Sequence, residues 1–91
     1  MEFKITELAK EKLLEYKEKN VPIKIKITGY SWCGATIGIV SEKQLENEQI
    51  HHAEGIDFIL SEDLEGAAKG MSIDYNSGLF KKGFEVIPIL S

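Results

Sequence analysis

Few side chains in this sequence could do chemistry. There is one cysteine, Cys33, and two histidines, the adjacent His51 and His52. Cys33 sits beside Gly34 in the run Gly29-Tyr30-Ser31-Trp32-Cys33-Gly34. A glycine-rich loop can turn backbone N–H groups toward a thiolate, which lowers the thiol pKa and suits the sulfur to a soft metal. The alternative is a small buried hydrophobe, the common fate of a lone cysteine. Adjacent strand residues point to opposite faces, so His51 and His52 cannot both join one metal site, and at most one could join Cys33. A strand histidine is otherwise a surface residue. A nucleophilic or thiol-redox pair of Cys33 with His51 or His52 would also need an orienting group and an oxyanion site.

Tyr30 and Trp32 flank Ser31 in the same run. Exposed, they would anchor a partner; buried, they would cap the core. Asp57, Asp74 and Glu85 fall on separate strand-like segments, and nothing in their spacing makes an acid–base couple. No Lys-Ser or Lys-Thr follows the glycines, so this is not a phosphate loop.

The elements that must position these residues can be read from their pattern. Phe3 and Ile5 alternate with Glu2 and Lys4 as a short first strand. Thr6 is a helix N-cap, with Glu7 in the first turn and Leu8, Ala9, Leu13 and Tyr16 as the apolar stripe; Asn20 and Pro22 stop the helix after about Lys19. Ile23 to Thr28 alternates strictly, which predicts a strand with its isoleucines in the core and its lysines in water. The run Gly29 to Gly34 interrupts it as a loop, and a strand from Ala35 to Val40 follows, where Gly38 marks a bulge or a close backbone approach. Ser41 to Glu48 reads as an exposed polar loop and Gln49 to His52 as a short strand. Glu54-Gly55 is a turn before the strand Ile56 to Leu60, and Ser61 caps a short second helix ending near Gly70. Ser72 to Tyr75 and Gly83 to Ile87 are the last strands, separated by the turn cluster Asn76-Ser77-Gly78. The class is α+β with strands dominant.

Composition bounds the rest. The 91 residues allow one domain, 1–91. Net charge is −4, which opposes phosphate binding and argues against a nucleic-acid partner. One cysteine makes no internal disulfide and closes no cysteine-rich zinc site. No run approaches the roughly 20 apolar residues of a membrane helix, and the N-terminus is too charged for a secretory signal. The expectation is a cytoplasmic protein without a membrane partner.

The order of these pieces resembles the HesB/IscA-like iron–sulfur biogenesis domains over nearly the whole chain. Ile5-Thr6 with Ala9 and Leu13 resembles the family's start, and Ile23 to Gly29 the strand that leads to its cysteine loop. Gly70-Met71-Ser72-Ile73-Asp74-Tyr75 resembles its Gly-x-x-Ile-Asp-Tyr stretch, and Gly83-Phe84-Glu85-Val86 its Gly-Phe stretch. The resemblance implies a compact β-rich sandwich of small mixed sheets with an N-terminal helix, no enzymatic activity, and self-association, as a homodimer at least. It places Cys33 at or within one residue of the loop cysteine, as the ligand for iron or an iron–sulfur cluster. The family's C-terminal Cys-Gly-Cys pair has no counterpart before Ser91, so the sequence resembles a shorter branch without that pair. The implied role is an accessory or carrier in iron–sulfur cluster assembly or iron binding, with assembly proteins or apo-protein clients as partners. The alternative is a non-enzymatic protein-interaction module that keeps the fold without a cofactor.

Overall fold

The computed structural model describes residues 1–32, 34–78 and 82–90. Strand β1 is Glu2–Ile5 and helix α1 is Glu7–Glu18. The Thr6 hydroxyl accepts from the Ala9 N–H at 3.3 Å and caps the helix as its sequence predicts. The same hydroxyl donates to Asp74 at 2.8 Å, which ties the helix start to a distant strand. At the other end Asn20 takes a φ of 57°, and the Val21 N–H reaches back to the Tyr16 carbonyl at 2.9 Å. With Asn20 N–H on the Lys17 carbonyl, this closes the helix as a Schellman motif, for which asparagine is an accepted substitute for glycine. The buried stripe is Ala9 and Leu13, with Tyr16 packed beside them. Leu8 differs from expectation: it lies one residue off that i, i+4, i+7 line and is exposed.

The remaining strands are β2 (Lys24–Ser31), β3 (Gly34–Val40), β4 (Gln49–Ala53), β5 (Ile56–Leu60), β6 (Gly70–Ser77) and β7 (Lys82–Ile89). They form two mixed sheets, one ordered β1-β6-β7 and one ordered β3-β2-β5-β4. In the first, β1 runs parallel to β6 with Glu2 opposite Gly70. A Cβ at Gly70 would lie 2.4 Å from the Glu2 carbonyl oxygen, so this register needs glycine there. In the second, β4 and β5 are joined through Glu54 and Gly55, both with positive φ, as a two-residue hairpin turn requires. Both sheets and the helix share one core: Ala9, Leu13, Ile23, Ile25, Ile56, Phe58, Leu60, Leu64, Met71, Ile73 and Val86.

Two expectations give way. The second helix is only a 3-10 turn, Glu62–Leu64. The Ser61 hydroxyl bonds Asp63 rather than a helix N–H, Glu65 is already extended, and Gly66 turns left-handed, so the helix cannot propagate. The second correction concerns Lys24, which was expected in water beside alternating isoleucines. It is 2% exposed. The segment between β3 and β4 reaches the face of β2 opposite Ile25, and there the Lys24 ammonium lies 2.7 Å from the buried Glu48 carboxylate and 4.0 Å from Glu42. Glu48 therefore departs from the exposed loop predicted for residues 41–48. Lys26 keeps a half-exposed place and pairs with Glu42 at 3.2 Å.

Candidate functional site

The run Gly29 to Gly34 is less of a loop than its composition predicts. Pairing of β2 with β3 passes from Ile27 opposite Ile37 directly to Gly29 opposite Thr36, which leaves Thr28 as an extra residue in a β-bulge. Pairing then continues through Tyr30 opposite Ala35 to Ser31 opposite Gly34. The ladder runs to the last residue of β2 and the first of β3. The bulge has a consequence for side-chain direction. Without it, strict alternation would put Tyr30 on the lysine face. With it, Tyr30 returns to the face of Ala35, Ile37 and Ile39. Gly38, across from Lys26, leaves room for the Thr28 side chain: a Cβ there would sit 3.0 Å from Thr28 Cγ2. What approaches Gly38 closely is this side chain and not another backbone, and the bulge lies on the facing strand.

Tyr30 is 80% exposed and Trp32 is 99% exposed. Neither ring caps the core, so of the two sequence alternatives the core caps are excluded. Cys33, the candidate cofactor and metal ligand, lies outside the described residues. Beside the tip, an open groove of about 370 Å³ separates β3 from β7. Ala35, Thr36 and Ile37 line one side and Phe84 to Pro88 the other. Nothing in the sequence marks this groove, because it forms where edges of two different sheets approach.

The histidines fall elsewhere. β4 is at the far edge of the sheet from β3. His51 and His52 point to opposite faces as expected. His51 Nε2 lies 2.9 Å from a Glu65 carboxylate oxygen, with Phe3 beside its ring. His52 Nδ1 bonds Asp57, its cross-strand partner. Asp74 and Glu85 are also cross-strand partners, on β6 and β7, which their spacing did not reveal. Both are exposed, and Asp74 is occupied by the Thr6 hydroxyl and the Tyr75 N–H. Among the described residues no three of histidine, cysteine, aspartate and glutamate stand close enough to hold a metal ion. Among them, too, no helix is long and apolar enough to cross a membrane.

The other polar centre is the Lys24–Glu48 pair. The Lys24 ammonium bonded to Glu48 holds that carboxyl below its ordinary value of 4.5, against the opposing effect of burial, and the Leu45 N–H donates to it at 2.8 Å. Glu48 looks no different in the sequence from Glu42 or Glu46 of the same segment. Only the fold shows which carboxylate meets the buried lysine.

Comparison with protein-family models and with curated proteins returns no match. Solved structures do match. SufA of Escherichia coli, involved in biosynthesis of iron–sulfur clusters, is 15% identical with a TM-score of 0.65, covering 94% of this chain and 79% of that one. IscA, solved with a [2Fe–2S] cluster, is 11% identical with a TM-score of 0.68, covering 96% of this chain and 82% of that one. A protein from Aquifex aeolicus, solved by NMR in solution, is 18% identical with a TM-score of 0.65, covering 93% and 89%. At such identities the likeness is one of architecture, and on it the chain has the IscA/HesB-like fold.

Proposed function

We propose that the protein is a non-enzymatic accessory or carrier in iron–sulfur cluster assembly or iron handling, with Cys33 as its thiolate ligand. The observation that carries this reading is the shared fold with SufA and with IscA, the latter solved with a [2Fe–2S] cluster. The sequence position of Cys33, between Trp32 and Gly34, agrees with it. Clusters are usually held by four thiolates, and this chain has one cysteine. A homodimer brings two, and a tetramer or small-molecule thiols supply the rest. Such a site loads and releases its cargo more readily than a closed four-thiolate cage, which suits a carrier. The fitting partners are assembly proteins or apo-protein clients, and the fitting compartment is the cytoplasm, where thiols stay reduced.

Anaerobic incubation with iron and sulfide should give charge-transfer absorbance that Cys33→Ser removes; iron alone tests the simpler version by retention after desalting. A parent protein that takes up neither, or a Cys33→Ser variant that loads as well as the parent, sinks the reading. The exposure of Tyr30 and Trp32 favours a second reading, an interaction module that kept the fold without a cofactor. A thiol reagent separates the two: labelling of Cys33 only after unfolding supports the module.

A further inference from the structure

Most sheet edges in this fold are guarded. β1 is short and carries Glu2 and Lys4. β7 carries Lys82 and Pro88, and β3 lies beside it across the groove. β4 is bare. Its residues, Gln49-Ile50-His51-His52-Ala53, include no lysine or proline, and they pair with β5 without a bulge. Among the described residues β5 is its one strand neighbour. The direction of the β4 backbone groups follows from β5. There the Ile59 and Ser61 N–H groups donate to the Ile23 and Ile25 carbonyls at 2.8 and 3.0 Å, so alternation turns Phe58 and Leu60 toward β4. These two stand opposite His51 and Gln49. Ile50 and His52 therefore aim their N–H and carbonyl groups away from the sheet, and no hydrogen bond to those groups is found among the described residues. The Ile50 side chain is also exposed.

We propose that the β4 edge binds an extended, basic segment of another protein, which joins the sheet as a further strand. The outward N–H and carbonyl groups of Ile50 and His52 supply the pairing. Charge selects the occupant. From Gln44 to Ala68 there are aspartates and glutamates but no lysine or arginine. Glu46 and Glu54 flank β4 in sequence, Asp57 lies across from His52, and Glu65 reaches His51 on the opposite face. A second copy pairing edge to edge would set one acidic border against another, which opposes association. A strand bearing lysine or arginine meets opposite charge on both of its faces, and an apolar side chain beside Ile50 is covered. This inference goes beyond the iron reading and does not depend on it. β4 lies at the far edge of its sheet from β3, the strand that follows Cys33.

Fluorescence anisotropy tests this, with a short labelled peptide of alternating lysine and valine titrated with the full chain at neutral pH. Saturable binding is expected, and a peptide of alternating glutamate and valine should not bind. Ile50→Pro should weaken binding roughly tenfold, because it removes one outward donor. The Ile50 nitrogen has no partner on β5, so the β4–β5 ladder survives that change. A lysine–valine peptide methylated on its backbone nitrogens keeps its charge and should lose binding. Amide NMR signals of Ile50 and His52 should shift most during the titration. Absence of saturable binding overturns the proposal, as do shifts centred on another strand. Undiminished binding of the methylated peptide, or undiminished binding by Ile50→Pro, overturns it too, since charge alone then accounts for the complex. If circular dichroism shows Ile50→Pro unfolded, Ile50→Lys takes its place: a cation on the edge should repel the peptide, and unaltered binding overturns the proposal. Cys33→Ser should bind the peptide as the parent does, so failure to load iron and failure to bind a strand are separate results.

Discussion

The two ends of β2 break the same rule in opposite ways. At its start Lys24 is buried where alternation predicts water. At its far end Tyr30 and Trp32 stand in water, where aromatic residues are expected to be covered. The difference lies in where the remedy comes from. Lys24 meets Glu48 within its own chain, and that carboxylate is held in turn by the Leu45 N–H, while the Gln44 amide bonds the Glu48 carbonyl. This end is closed, with no buried polar side chain left unpartnered among the described residues. At the far end the bulge at Thr28 aims Tyr30 toward the apolar face, beyond the reach of the core. A departure satisfied inside the chain is structural; one left open points outward.

The closed end should therefore answer to stability measurements. Lys24→Met leaves Glu48 buried without its cation and should cost about 3 kcal/mol, the usual penalty for breaking a buried pair from one side. Urea unfolding at pH 7 would show it as a lower midpoint at unchanged slope. Replacing both partners, Lys24→Met with Glu48→Leu, should recover most of the loss, because no charge is then stranded. A single variant as stable as the parent would break the comparison, since the pair would not be what closes this end.

Acid probes the same end more gently. The folded-state pKa of Glu48 is lowered, so its contribution is complete above the ordinary value of 4.5 and is lost as pH falls through the folded value. Stability should hold from neutrality to about pH 5 and decline below 4.5, with an effect smaller than that of Lys24→Met because Glu42 remains near the ammonium. Unfolding midpoints of the parent and of Glu48→Gln across that range check the sign: the parent should lose its advantage over the variant as pH falls.

The sequence made much of this architecture legible, and where it failed the reasons are local. Thr6, Asn20, the Glu54-Gly55 turn and the alternating strands are short-range signals, and each produced the expected element. The second helix failed because Ser61 and its acidic neighbours resemble a helix start while Gly66 ends it within one turn. Lys24 was misplaced because periodicity records that a strand has two faces but not what covers the second. The exposure of Trp32 and the β3–β7 groove were out of reach for a related reason. Both depend on how β3 and β7, from different sheets and far apart in sequence, come together.

The open end yields the smallest expected effect on folding, and that smallness is the point. Trp32→Ala removes the largest kind of side chain from a position 99% exposed in the single chain. No core contact is lost and no cavity forms, so the stability of the monomer, measured by urea unfolding at dilution, should change by no more than about 0.5 kcal/mol, as for any surface substitution. The same replacement in a core would cost about 3–5 kcal/mol. A loss approaching that range would mean that Trp32 is covered by its own chain in solution and that both ends of β2 are closed. A null result would show that Trp32 contributes nothing to the fold that carries it, and that the far end of β2 is open.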